Sequence, residues 1–153
     1  MKEPKIETQE AFAVVGMLYH GKNENHEIPA MWGRYVPRIG EIRHICSDAS
    51  FGVCSAMDAD GAFDYVAGVA VSSSEDVPEG MVYRVVPAGT YAAFECTLPT
   101  IGAAYDYAFK TWLPASTEWA HEASRPDYEL YPGDYDPNNP ASPMYIYVPV
   151  KQK

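Results

Sequence analysis

Glu129 stands inside Tyr128-Glu129-Leu130-Tyr131, a run of strand-forming residues with apolar neighbours on both sides. Alternation along a strand puts Asp127, Glu129 and Tyr131 on one face and Tyr128 and Leu130 on the other. Two readings of this carboxylate stay open. If the face of Tyr128 and Leu130 is the core, Glu129 is a solvated surface residue, and patterning alone favours that. If the Glu129 face lines a cleft, a carboxylate sits among aromatics in a low dielectric. Desolvation then raises its pKa, and a bound organic cation lowers it again. Glu95, in Phe94-Glu95-Cys96, is a weaker instance of the same pattern.

Other chemistry is sparse. Cys46, Cys54 and Cys96 are odd in number and show no CxxC spacing, which fits reduced, packed thiols. His20, His26, His44 and His121 form no HxxxH pair and no Cys/His cluster, so neither a zinc site nor any other cofactor is expected. The sequence has no P-loop, GxGxxG, GxSxG or HExxH. Twelve Tyr, five Phe and three Trp make 13% of the chain, an excess carried by Tyr. Such side chains suit a pocket for flat or cationic ligands, although Tyr is also an ordinary strand former.

Charge limits the partners. Lys and Arg number 11 against 21 Asp and Glu, a net charge of −10. The nearest thing to a basic cluster is Arg34, Arg38, Arg43 and His44, so direct nucleic-acid binding is not expected. The opening MKEPKIETQE has no apolar signal core, and no stretch is long and apolar enough to cross a bilayer. A cytoplasmic, membrane-free protein is the expectation.

The 153 residues are enough for one domain. Ala11 to Tyr19 reads as a buried strand, and Ile28, Trp32, Tyr35, Val36 and Ile39 recur at helical spacing until Pro37 kinks or ends the helix. A turn around Ser47 and Asp48 precedes a strand at Phe51 to Met57 and a hairpin turn at Asp58 to Gly61. The strand Phe63 to Ser73 places Phe63, Tyr65, Ala67, Val69 and Val71 on one face; Gly68 and Ala70 on the other predict a close approach. Met81 to Thr97 reads as one strand bent at Pro87-Ala88-Gly89. Ile101, Ala104, Tyr105, Ala108, Phe109 and Trp112 mark a second helix ended by Pro114. Strands at Asp127 to Tyr131 and Met144 to Val150 close the chain around a loop rich in Asp, Asn and Pro.

The order strand–helix–strand–strand therefore occurs twice, over about 4–73 and 81–151. Trp32 with Trp112, Tyr65 with Tyr145 and Phe12 with Tyr91 stand at nearly equal separations. A duplicated β-α-β-β module predicts an α+β fold, an antiparallel-rich sheet with two main helices and a cleft between the halves.

The ordered set Ile28-Pro-Ala-Met-Trp-Gly-Arg-Tyr35, Phe51-Gly-Val, Asp64-Tyr-Val-Ala-Gly-Val-Ala-Val71 and Val86-Pro-Ala-Gly-Thr-Tyr-Ala-Ala-Phe94 resembles the GyrI-like small-molecule-binding family. Thr111 to Ser116, Pro126 to Tyr131 and Tyr145 to Pro149 extend the resemblance over nearly the whole chain. This is the effector-binding domain of AraC-type and MerR-type multidrug-responsive regulators. The resemblance implies a cleft lined by aromatics around a central Glu, and Glu129 holds the matching position in Pro-x-x-Glu-x-Tyr, which reverses the surface reading. Helix positions and strand parity then name Trp32, Tyr65, Tyr105 and Trp112 as ligand-binding walls. The last strand contributes Tyr145 or Tyr147, between which parity does not choose.

Relatives in regulators carry an N-terminal helix-turn-helix domain, whereas this sequence opens on the effector domain. The expectation is a stand-alone protein binding amphipathic, cationic aromatic compounds, with any DNA binding left to a partner. The same resemblance implies two alternatives. One is hydrolysis of strained electrophiles of the cyclopropane type, with Glu129 as general base; the other is a gyrase-inhibitor-like role on a protein partner. A non-catalytic role, with no catalytic residue, leads.

Overall fold

The computed structural model describes residues 2–55 and 58–153. The last two residues of the predicted strand at Phe51 to Met57 lie outside them. Among the described residues nine strands form a single sheet: β1 (Lys5–Gln9), β2 (Phe12–Gly21), β3 (Ile45–Ser55), β4 (Phe63–Val71), β5 (Val82–Val86), β6 (Gly89–Cys96), β7 (Trp119–His121), β8 (Asp127–Tyr131) and β9 (Met144–Gln152). Their spatial order is β1-β6-β9-β8-β3-β4-β2-β5, with β7 beside β9, and every pairing is antiparallel. The α+β class with a large antiparallel sheet and two helical segments is as expected.

The connections bend this sheet. Only Glu10 and Ala11 join β1 to β2, and only Pro87 and Ala88 join β5 to β6, yet each pair stands six places apart in the order. A flat sheet would hold such strands about 29 Å apart. Two linking residues reach roughly 10 Å. The sheet must therefore curl until its ends approach. Inside the curl Val14, Phe51, Val66, Val86, Tyr91, Tyr128 and Tyr147 form one buried cluster.

Residues 81–97 are thus two strands in opposite halves of the sheet, not one bent strand. Pro87 lacks the N–H that a continuous ladder needs. β1 and β5 are exchanged reciprocally: β1 pairs with β6 (Gln9 opposite Gly89), and β5 pairs with β2 (Val86 opposite Phe12). The short strands β1 and β7 carry too little apolar alternation to be visible in sequence. β3 begins at Ile45, and the turn expected around Ser47 is an irregularity inside it. The close approach expected at Gly68 is to the backbone of β2, where a side chain on Gly16 would stand 1.8 Å from the Ala67 carbonyl oxygen.

Helices cover the other face. α1 (Glu27–Tyr35) buries Met31 and Tyr35 against Tyr65, Ala67 and Val69 of β4. Pro37 converts the chain into a 3-10 turn at Val36–Glu41 without stopping it. α2 (Ile101–Asp106) runs through a π-helical turn at Tyr107–Trp112 into α3 (Leu113–Ala115), with Pro114 inside the last turn. This segment packs on Phe94, Ile146 and Val148.

Candidate functional site

β3 and β8 pair at the middle of the sheet, with Gly52 opposite Glu129, Ser50 opposite Tyr131 and Cys54 opposite Asp127. All six share the helix-bearing face. One strand supplies small side chains and the other long ones, and the space left over is a cavity of about 680 Å³ between α1 and α2. Ile28 and Trp32 wall it from α1, Ile101 and Tyr105 from α2, and Tyr135 from the loop after β8.

α1 is set in place locally. Asn23 Oδ1 accepts from the Ile28 N–H at 3.0 Å, and the left-handed His26 (φ 58°) turns the chain into the helix. Trp32 then faces β4. Its Nε1 donates to the Tyr65 hydroxyl at 3.0 Å, and Tyr65 donates to Glu129 Oε1 at 2.7 Å. Tyr131 donates to the same Oε1 at 2.9 Å, and its ring stands edge-on to Trp32 with centroids 5.5 Å apart. Both phenols are pushed well above their ordinary pKa by burial and by the neighbouring carboxylate, so they remain donors.

Glu129 is 9% exposed. Burial raises its pKa to about 7; the two tyrosine hydrogen bonds oppose that rise, and the nearby Asp127 charge adds to it. Its titration is thereby moved from the acid range towards neutrality. The surface reading that patterning favoured fails: Tyr128 is in the core, yet Glu129 is buried on the other face and lines the cavity, because helices cover that face.

Residues 2–151 match the model of the GyrI-like small molecule binding domain. The chain belongs to that family. This GyrI-like domain is 34% identical over 151 residues to the transcriptional regulator BrlR of Pseudomonas aeruginosa, a match covering 95% of this chain and 54% of BrlR. It thus spans about half the length of that relative. Its fold is similar to that of SAV2435, solved bound to tetraphenylphosphonium, with TM-score 0.72, 18% identity and coverage of 98% of this chain and 94% of that one. The C-terminal domain of EcmrR is similar too, with TM-score 0.69, 14% identity and coverage of 99% and 98%.

Of the residues named from sequence, Glu129, Trp32, Tyr65 and Tyr105 come together in the cavity. Trp112 does not. The π-helical turn inserts one residue, so Leu113 takes the buried position that α-helical spacing assigned to Trp112. Trp112 instead packs edge-on against Phe94 and donates Nε1 to Glu3 at 3.3 Å. Tyr145 and Tyr147 also lie elsewhere: they pair with Leu130 and Tyr128, on the face opposite Glu129. The Tyr65–Tyr145 repeat pairing is out of register by one, and one residue reverses a strand side chain. Glu95 is exposed and salt-bridged to Lys2 at 3.1 Å.

Sequence reasoning missed three contributors. Tyr131 shares the parity of Glu129, a usable signal. Gly52 sits in the Phe51-Gly-Val motif, but its role depends on Tyr65 crossing above it. Tyr135 comes from an irregular loop with no periodicity to read.

Among the described residues no helix is long and apolar enough to cross a membrane. His44, Glu75 and Asp76 come close together at the surface, all three exposed and away from the cavity residues named above.

Proposed function

We propose that this GyrI-like domain binds amphipathic organic cations of varied shape, with Glu129 as counter-charge and Trp32, Tyr65, Tyr105 and Tyr131 as aromatic surfaces. The observation that carries the reading is one buried carboxylate on the floor of a large, mainly apolar cavity whose walls include Trp32, Tyr65, Tyr105 and Tyr131. A cation brought there replaces the missing hydration of the carboxylate, and each ring face adds about 0.5–2 kcal/mol. Because the walls are aromatic planes instead of a fixed set of donors, shape is loosely specified. The tetraphenylphosphonium bound to SAV2435, a protein of the same fold, supports a cationic ligand class.

Likeness to one half of a transcriptional regulator supports a sensing role in which occupancy is passed to a DNA-binding partner. The deciding experiment is a tryptophan-fluorescence titration of wild type and Glu129→Gln with cationic and neutral aromatic dyes. Cations should lose about tenfold in affinity while neutral dyes change little. Equal losses for both classes would remove the charge argument.

One observation favours a second reading. A carboxyl group with a pKa near 7 is matched to general-base work at neutral pH. Glu129 could then take a proton from water attacking a strained electrophile, with the Tyr65 or Tyr131 hydroxyl positioning the substrate. Turnover of an activated cyclopropane that vanishes in Glu129→Gln supports it; the absence of turnover in wild type ends it.

A further inference from the structure

A second cavity of about 740 Å³ adjoins the first. The two share Cys54, Phe63 and Tyr105 as a common wall. The second cavity has its own carboxylate, Asp127, two residues before Glu129 on the same face of β8. Tyr105 reaches the boundary from α2, where its hydroxyl lies beside Asp127 and Cys54. That hydroxyl is buried, and it stands close enough to Asp127 to favour the ionised carboxylate.

We propose that the two cavities form one elongated chamber for organic dications, with one ligand charge at Glu129 and the other at Asp127. This rests on the reading of Glu129 as a counter-charge. Side chains two apart on a strand face stand about 7 Å apart, which sets the charge spacing of the best ligand. The Asp127 charge also raises the proton affinity of Glu129, a repulsion that two bound positive charges relieve.

Arg125 and His121 also line the second cavity, and the Arg125 charge favours seating the ligand's second cation on the Asp127 side. Arg125 turns its donors into the wall: Nη2 bonds the Thr90 and Val150 carbonyls at 3.0 and 3.1 Å, and the guanidinium lies 4.8 Å from the Tyr91 ring centroid. Its Nη1 is buried without a hydrogen-bond partner among the described residues. Desolvation and the Lys151 charge hold His121 below its ordinary pKa, against the pull of Glu122, and so disfavour its charged form. Phe63 and Phe109 supply aromatic surface for the ligand's body.

The test compares two probes of one shape by isothermal titration calorimetry. N,N′-dimethyl-4,4′-bipyridinium carries two charges, and N-methyl-4-phenylpyridinium carries one. Wild type should bind the dication at least about tenfold more tightly. Asp127→Asn should abolish that preference while leaving the monocation within about twofold. Asp127→Glu, which keeps the charge, should retain most of the preference, and it decides the matter if Asp127→Asn does not fold. A wild type with no preference for the dication, or a preference that survives in Asp127→Asn, overturns the proposal. Failure of the Glu129 reading is read separately, as no monocation binding by wild type or unchanged monocation binding by Glu129→Gln.

Discussion

Gly52 and Glu129 face one another across the central strand pair, and the absence of a side chain at Gly52 is what lets Tyr65 reach the carboxylate. A methyl group there would stand 2.1 Å from the Tyr65 hydroxyl oxygen and 2.7 Å from Glu129 Oε1. Tyr65 crosses above β3 from β4 on one side to Glu129 on β8 on the other, and no other residue type leaves that path open.

Gly52→Ala should therefore break the Tyr65–Glu129 hydrogen bond. That bond opposes the rise in the Glu129 pKa, so its loss raises the pKa further and leaves less carboxylate at pH 7. Overpacking of this kind costs about 1–3 kcal/mol. Urea unfolding should show that loss, and dye titration should show cation affinity down by about tenfold. An alanine variant with unchanged affinity would show that the bond does not hold the carboxylate.

Glu129→Gln should stabilise the fold at alkaline pH. The folded pKa, about 7, lies above the group's ordinary value of 4.5. Stability linked to this group is fully present below pH 4.5 and is lost as pH rises through 7. Gln accepts the same two hydroxyls without a charge, so the variant should gain up to about 3 kcal/mol at pH 8 and nothing below pH 4. Denaturation midpoints across that range measure it. A gain independent of pH would point to packing.

Cation affinity should rise with pH up to about 7 and then level off. A cation binds the ionised form, so each unit below the Glu129 pKa removes up to about tenfold in affinity. A neutral dye of similar size should show no such slope, and Glu129→Gln should flatten the slope for the cation. Titrations between pH 5 and pH 8 separate these outcomes.

Trp112→Ala and Tyr145→Phe test the corrected site. Trp112 packs on Phe94 outside the cavity, so its truncation should cost about 1–3 kcal/mol in stability and leave cation affinity within twofold. Tyr145→Phe should change neither much. Trp32→Phe, by contrast, removes the donor to Tyr65 and should weaken binding severalfold with a smaller loss in stability.

Some of this was legible in the chain alone. Strand parity put Asp127, Glu129 and Tyr131 on one face, because alternation is a local property of extended backbone. Helical spacing placed Trp32 beside the cleft, since α1 is a regular helix as far as Pro37. Family-like motifs singled out the Glu129 position. Where local geometry was regular, periodicity carried through to the site.

Tertiary structure decided the rest. The π-helical turn moved Trp112 off the face that its spacing implied, and the register of β9 turned Tyr145 away. Neither has a strong local signal, because i+5 hydrogen bonding and strand register are selected by packing against the sheet. The reciprocal exchange of β1 and β5 was equally hidden. It depends on the sheet curling until two-residue links can bridge its ends, a condition on the whole chain. The same holds for the carboxylate. Sequence named Glu129, but its pKa near neutrality follows from Gly52, Tyr65 and Tyr131 converging on it from three strands, and convergence of that kind exists only in the fold.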